Sequence, residues 1–146
     1  MISQDYLIIT NMLNRVMLAM DTAEKEVFSS CFSTDATCEI KITNQSFTGK
    51  EELEGLCASL AEKFKDARHW EGNICLHQNT EGQMINTSYW KAIDGGTIIS
   101  TGIHRDLLIR DPNQEGNWLI KKRTIDHTYT KAGGNREAEL YSVVLP

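Results

Sequence analysis

Four segments between residues 68 and 130 decide the fold: RHWEGNICLH (68–77), QMINTSYWKAID (83–94), TIISTGIHRDLLIR (97–110) and NWLIKKRTIDHTYT (117–130). Each is rich in β-branched and aromatic residues and is bounded by turn formers, the pattern of a strand. Asn79 to Gly82 separates the first two segments. Asp94-Gly95-Gly96 separates the next two, and glycine accepts the positive φ that a two-residue hairpin turn demands. Asp111-Pro112 to Gly116 forms a longer loop before the last. Such short connections force antiparallel neighbours. His69, His104, Asp126 and His127 lie inside these strands, beside Trp70, Tyr89, Trp90 and Trp118. A curved sheet with titratable groups on its concave face can build a small acid–base pocket.

Helices precede the strands. Ser3 can cap a first helix whose apolar positions Ile9, Leu13, Val16 and Met20 recur at helical spacing. Asp21 with Glu24 reads as a break and a capping box, followed by Val27, Phe28, Cys31 and Phe32. A short strand pair is expected over 36–42 and 45–48. Thr48 with Glu51 then opens a third helix with Leu53, Leu56, Cys57, Leu60 and Phe64 on one face. Helices on one side of a strongly bent antiparallel sheet make an α+β layout. Gly102, in mid-strand, is expected at a bulge or bend that curls the sheet. The domain is expected to span 1–132, with 133–146 as a tail that caps the cavity or the dimer.

The chain has 146 residues and a formal charge of −5, with 40% hydrophobic and 24% charged residues, as for an ordinary globular domain. That charge excludes a phosphate-neutralising surface, so no nucleic-acid partner is expected. Lys121-Lys122-Arg123 alternate faces on a strand and form no patch. The four cysteines show no metal-ligand spacing and read as buried thiols in a reducing compartment. The N-terminus lacks the basic region of a signal peptide, and no apolar run reaches the roughly 20 residues of a membrane span. A soluble, cytoplasmic protein is expected. No phosphate loop, dinucleotide fingerprint, nucleophile elbow or metal motif is present, so neither a cofactor nor a metal is expected.

Strand alternation groups the candidates. His104 shares a face with Ser100, Gly102, Asp106 and Leu108. Regular alternation puts Asp126 with Trp118, Ile120, Lys122 and Thr124, and His127 on the opposite face. At most one of Asp126 and His127 should therefore enter the cavity, and Asp126 is preferred. A carboxylate on a largely apolar face has a raised pKa, as proton exchange near neutrality requires.

The order of AMDTAEKEVFSSCFSTDATCEI, FTGKEELEGL, RHW, STGIHRDLLIR and GNWLIKKRTID resembles the nuclear-transport-factor-like cone fold. Within it, the resemblance is to the SnoaL-like branch of polyketide cyclases, scytalone dehydratase and fungal meroterpenoid isomerases, over about residues 5–130. The resemblance implies a cone-shaped curved sheet wrapped around N-terminal helices, and a homodimer through the outer sheet face. It also implies pocket roles for Asp21, His69 and His104, with Asp126 matching an acidic cyclase residue. Where the dehydratase pattern has two tyrosines, this chain has Met20 and Ile40, which disfavours scytalone dehydratase itself.

The reading is a cofactor-free isomerase or cyclase acting on a hydrophobic polyketide- or terpenoid-like molecule. The alternatives are a non-catalytic dimeric binding or scaffold module, and a dehydratase. In the expected mechanism His69 or Asp126 removes a proton beside a carbonyl and His104 donates to the developing oxygen anion. Asp21 or Arg68 fixes orientation. Arg68, Trp70, Tyr89, Trp90 and Trp118 are the expected substrate contacts.

Overall fold

A computed structural model describes residues 3–137. Helix α1 (Ser3–Asp21) is followed by a short α2 (Lys25–Ser30), strand β1 (Phe32–Ile40), a 3-10 turn, strand β2 (Gln45–Thr48) and α3 (Gly49–Lys63). The long strands β3 (Ala67–Gln78), β4 (Met84–Asp94), β5 (Thr97–Arg110) and β6 (Trp118–Thr130) follow, with a two-residue β7 (Gly134–Asn135). The sheet runs β2-β1-β6-β5-β4-β3, and β7 pairs with β6. Every pairing is antiparallel except β1 with β6, which is parallel. The four long strands pair antiparallel as expected, and the β1–β6 seam is the one departure from the expected antiparallel sheet. Between those two strands the chain runs through β2, α3 and β3–β5.

The helix periodicities land where the apolar pattern puts them. Ile9, Leu13, Val16 and Met20 of α1, with Leu53, Leu56 and Cys57 of α3, are buried against the sheet. The caps differ from expectation. Asp21 ends α1 rather than starting α2, and the α2 cap position, Glu24, makes no side-chain cap bond. At α3 it is Glu52, not Glu51, that reaches back to the Thr48 N–H, at 2.6 Å. Asp5 clamps the start of α1 to the sheet. It accepts a bidentate pair from Arg110 at 2.7 and 3.0 Å and a bond from Trp118 Nε1 at 2.9 Å. The fully buried Trp118 is therefore a structural anchor and not the expected substrate contact.

Bulges bend the sheet. The register slips between Gly72 and Cys75 on β3, where Asn73 has φ 53°, and around Ile99 on β5. On β6 it slips twice. Leu107 pairs with Lys122 and Leu108 with Ile120, leaving Lys121 unpaired; Thr101 pairs with Tyr129 and Gly102 with His127, leaving Thr128 unpaired. The β4–β5 hairpin closes on Gly95 and Gly96 at φ 54° and 85°, the two positive φ values of a tight turn.

Gly102 sits beside the second slip, but its main service is space. A Cβ there would lie 1.9 Å from the Asp126 carbonyl oxygen and 2.5 Å from the Trp90 indole. Gly102→Ala should therefore shift Trp90 and lower stability by about 1–3 kcal/mol, read by urea denaturation and tryptophan fluorescence. An unchanged midpoint and spectrum would show that the indole yields freely.

Candidate active site

A cavity of about 620 Å³ opens between the sheet and the helices. Its wall is mostly apolar, contributed by the helices and the strands, with His69, His104, Arg123, His127 and the Cys38 thiol as the ionisable groups away from the mouth. Strand alternation explains who enters. On β3 the inward positions are Ala67, His69 and Glu71, so Arg68 and Trp70 point out. On β4, Met84, Asn86, Ser88, Trp90 and Ala92 are buried while Tyr89 is exposed.

The first catalytic candidate is a dyad. Asp21 accepts the His69 backbone N–H at 2.9 Å and lies 2.6 Å from His69 Nδ1. Its place at the C-terminus of α1 is unfavourable for a carboxylate, because the helix dipole is negative there. The two donors of His69 compensate. With Nδ1–H held by Asp21, the ring offers Nε2 to the cavity. The Phe64 ring meets His69 edge-on at 6.2 Å.

The second candidate is a fully buried network behind His104. Glu71 lies 3.1 Å from His104 Nδ1 and also accepts from Ser88 Oγ at 2.6 Å and Arg123 Nη2 at 3.3 Å. Arg123 makes a bidentate pair with Asp106, at 2.7 and 2.9 Å, and Asn86 bridges Asp106 and Ser88. Strand register assembles it, since Asn86 pairs with Asp106 and Asp106 with Arg123, while Ser88 pairs with His104. Burial, then the Arg123 charge, pushes the His104 pKa down against the pull of Glu71. Burial would raise Glu71, but Arg123 and then His104 outweigh it and hold the carboxyl well below its usual range. His104 therefore rests neutral before a cluster carrying two carboxylates and one guanidinium.

Trp90 stacks on His104 at 5.8 Å and meets His127 edge-on at 4.9 Å, its Nε1 donating to the Asp126 carbonyl. His127 lines the cavity, and its buried Nδ1 has no partner among the described residues. Burial, then Arg136 and His104, depress its pKa against Asp126. Cys38, also in the wall, is pushed up to about 12 by burial and offers no thiolate near neutrality.

Against expectation, then, the structure brings together Asp21, His69, His104 and Trp90 and leaves out five other candidates. Asp126 does not line the cavity; it receives its neighbour's N–H at 3.0 Å and sits 3.6 Å from Lys41. The bulge at Lys121 is the reason. It shifts alternation by one residue, so Arg123, Ile125 and His127 turn inward in place of Lys122, Thr124 and Asp126. Trp70 and Tyr89 are 50% and 55% exposed on the outer face. Arg68 caps nearby carbonyls of Lys65 and Ala67. Trp118 belongs to the Asp5 clamp. Sequence reading missed Glu71, although it stands two residues from His69 on one strand face. It dismissed Arg123 by counting alternation through a bulge.

The sequence matches the SnoaL-like domain over residues 2–124. No curated protein matches it. Solved structures share the fold. A protein of unknown function with a cystatin-like fold from Nostoc punctiforme PCC 73102 superposes with TM-score 0.76 at 19% identity, covering 87% of this chain and 93% of that one. A candidate scytalone dehydratase from Novosphingobium aromaticivorans DSM 12444 gives 0.73 at 22%, covering 91% and 90%. ActVI-ORFA from Streptomyces coelicolor gives 0.69 at 17%, covering 84% and 96%.

Proposed function

Since the chain belongs to the SnoaL-like domain family, we propose that it is a cofactor-independent acid–base isomerase or cyclase for a hydrophobic polyketide- or terpenoid-like molecule. The observation that carries this reading is a pair of carboxylate-backed imidazoles, Asp21–His69 and Glu71–His104, on the wall of one apolar cavity. The volume suits a small multi-ring ligand. Met20 and Ile40 line it where the dehydratase pattern has tyrosines, and no tyrosine lines it at all among the described residues. That favours isomerisation or cyclisation over dehydration.

In the proposed step, His104 is the base. Glu71 takes its Nδ1–H, so Nε2 presents a lone pair. A C–H bond beside a carbonyl breaks, its proton goes to Nε2 and its electron pair forms an enolate. The net −1 of Glu71, Asp106 and Arg123 compensates the imidazolium that forms. His69, acting in its imidazolium form with Nδ1–H on Asp21, delivers its Nε2 proton to a second carbon. Solvent then takes the proton from His104 and returns one to His69. This assigns the base role to His104 and withdraws it from Asp126.

The test is deuterium incorporation from D₂O into an apolar enolisable ketone, followed by mass spectrometry. The wild type should exchange, and the His69→Ala/His104→Ala protein should not. Equal exchange by both removes the mechanism. The depressed His104 pKa also sets the pH behaviour. Exchange should persist below the ordinary imidazole value of about 6.5 and fail only in stronger acid. Stability follows the same sign. The unfolded chain protonates His104 near 6.5 while the folded state resists. This contribution is complete above that pH and is lost as pH falls through the depressed value. Urea midpoints at pH 8 and pH 5 check it, and a higher midpoint at pH 5 would contradict it.

We also propose that the protein is a homodimer through the outer sheet face, where Trp70 on β3 and Tyr89 on β4 are exposed, Trp70 opposite Lys91 and Tyr89 opposite Gly72. Sedimentation should return twice the chain mass, and a monomer at micromolar concentration would rule the dimer out.

A further inference from the structure

The cavity carries a charge bias that the rest of the molecule does not. The chain has 20 acidic residues against 15 lysines and arginines, yet no acidic residue lines the cavity among the described residues. The lining residues that are exposed, and so mark the mouth, include Thr43, Gln45, Ser59, Lys63 and Lys131. Neither lysine has an acidic partner among the described residues. Lys63 Nζ lies over the Phe64 ring, 5.2 Å from its centroid.

Both lysines belong to the His69 end. Lys63 precedes Phe64, whose ring touches His69. Across the sheet His69 pairs with Ala92, Ala92 with Ser100 and Ser100 with Thr130, and Lys131 follows Thr130. Arg136 adds positive charge on the same side, close enough to act on His127. By contrast Arg123, deeper in the wall, is committed to Asp106 and Glu71.

We propose that the ligand of this cavity is an amphiphilic acid, with its apolar body inside and its carboxylate held at the mouth by Lys63 and Lys131. The proposal rests on reading the cavity as the substrate site, and it sets the substrate's direction: the anionic end lies toward His69 and the enolisable carbon toward His104. The lysines are exposed and lose ion-pair strength to water and salt, so together they are worth about tenfold in affinity at low ionic strength. An apolar wall behind them strengthens the attraction relative to an open surface.

The experiment is calorimetric titration of the full-length protein with decanoate and with decanol, in low and high salt, repeated on Lys63→Gln/Lys131→Gln. In the wild type decanoate should bind about tenfold tighter than decanol at low salt. Salt and the double substitution should each collapse that ratio toward one, leaving decanol unaffected. Equal binding of the two probes by the wild type overturns the proposal, as does a preference that survives the double substitution. Absence of binding by both overturns it too. The acid–base reading is judged separately, by deuterium exchange into a neutral ketone that has no carboxylate to present.

Discussion

Replacing Arg123 by methionine should lower the unfolding free energy by about 3–5 kcal/mol, the largest stability loss expected from any single substitution in the sheet. Glu71 and Asp106 have side chains with 0% exposure, and Arg123 is the cation that both of them contact. Methionine fills the space but leaves two carboxylates facing each other without compensation in a low-dielectric interior. At about 2–4 °C per kcal/mol for a chain of this size, the melting temperature should fall by roughly 6–20 °C. The triple variant with leucine at positions 71 and 106 should recover much of the loss, because exchanging a whole buried ionic cluster for apolar packing is often neutral. A deficit below about 1 kcal/mol in Arg123→Met would mean that water reaches the carboxylates.

Substituting His104 by alanine should reduce deuterium exchange by about 10²–10⁴-fold, the usual range for removing a positioned general base. Glu71→Gln keeps the shape of the Glu71 side chain but removes the negative charge that compensates the imidazolium. The rate should fall less than in His104→Ala, with the acid limb of the pH profile displaced. Because the two residues act as a unit, the double variant should be no slower than His104→Ala alone. Additive losses would assign Glu71 a purely structural part. His69→Ala should slow product protonation while leaving exchange at the first carbon measurable, which separates the two histidines.

Most of the architecture could be read from the chain because it follows from local rules. The strands between Arg68 and Thr130 announce themselves by composition and by turns such as Gly95-Gly96, whose backbone only glycine adopts cheaply. The α1 and α3 faces follow from helical spacing. The site was legible where alternation is unbroken: His104 and Ser100 do line the cavity on the face expected of them. It was illegible where the strand slips, since nothing in NWLIKKRTIDHTYT marks Lys121 as a residue left out of the pairing with β5. Asp21 misled for a different reason. Aspartate at a helix break fits a cap as well as a dyad, and only the arrival of His69, 48 positions later, decides between them. Glu71, by contrast, could have been found by asking what shares a face with His69.

The slip at Lys121 has a consequence for how this protein could change. It makes β6 a strand with two inventories of side chains, Arg123, Ile125 and His127 in one phase and Lys122, Thr124 and Asp126 in the other. Deleting Thr124 would reverse the phase beyond Arg123, bringing Asp126 to the cavity and sending His127 out. One lost codon would thus exchange an imidazole for a carboxylate without a single amino-acid replacement. For this sheet, a one-residue insertion or deletion in β6 changes the pocket chemistry by re-aiming residues already in the chain.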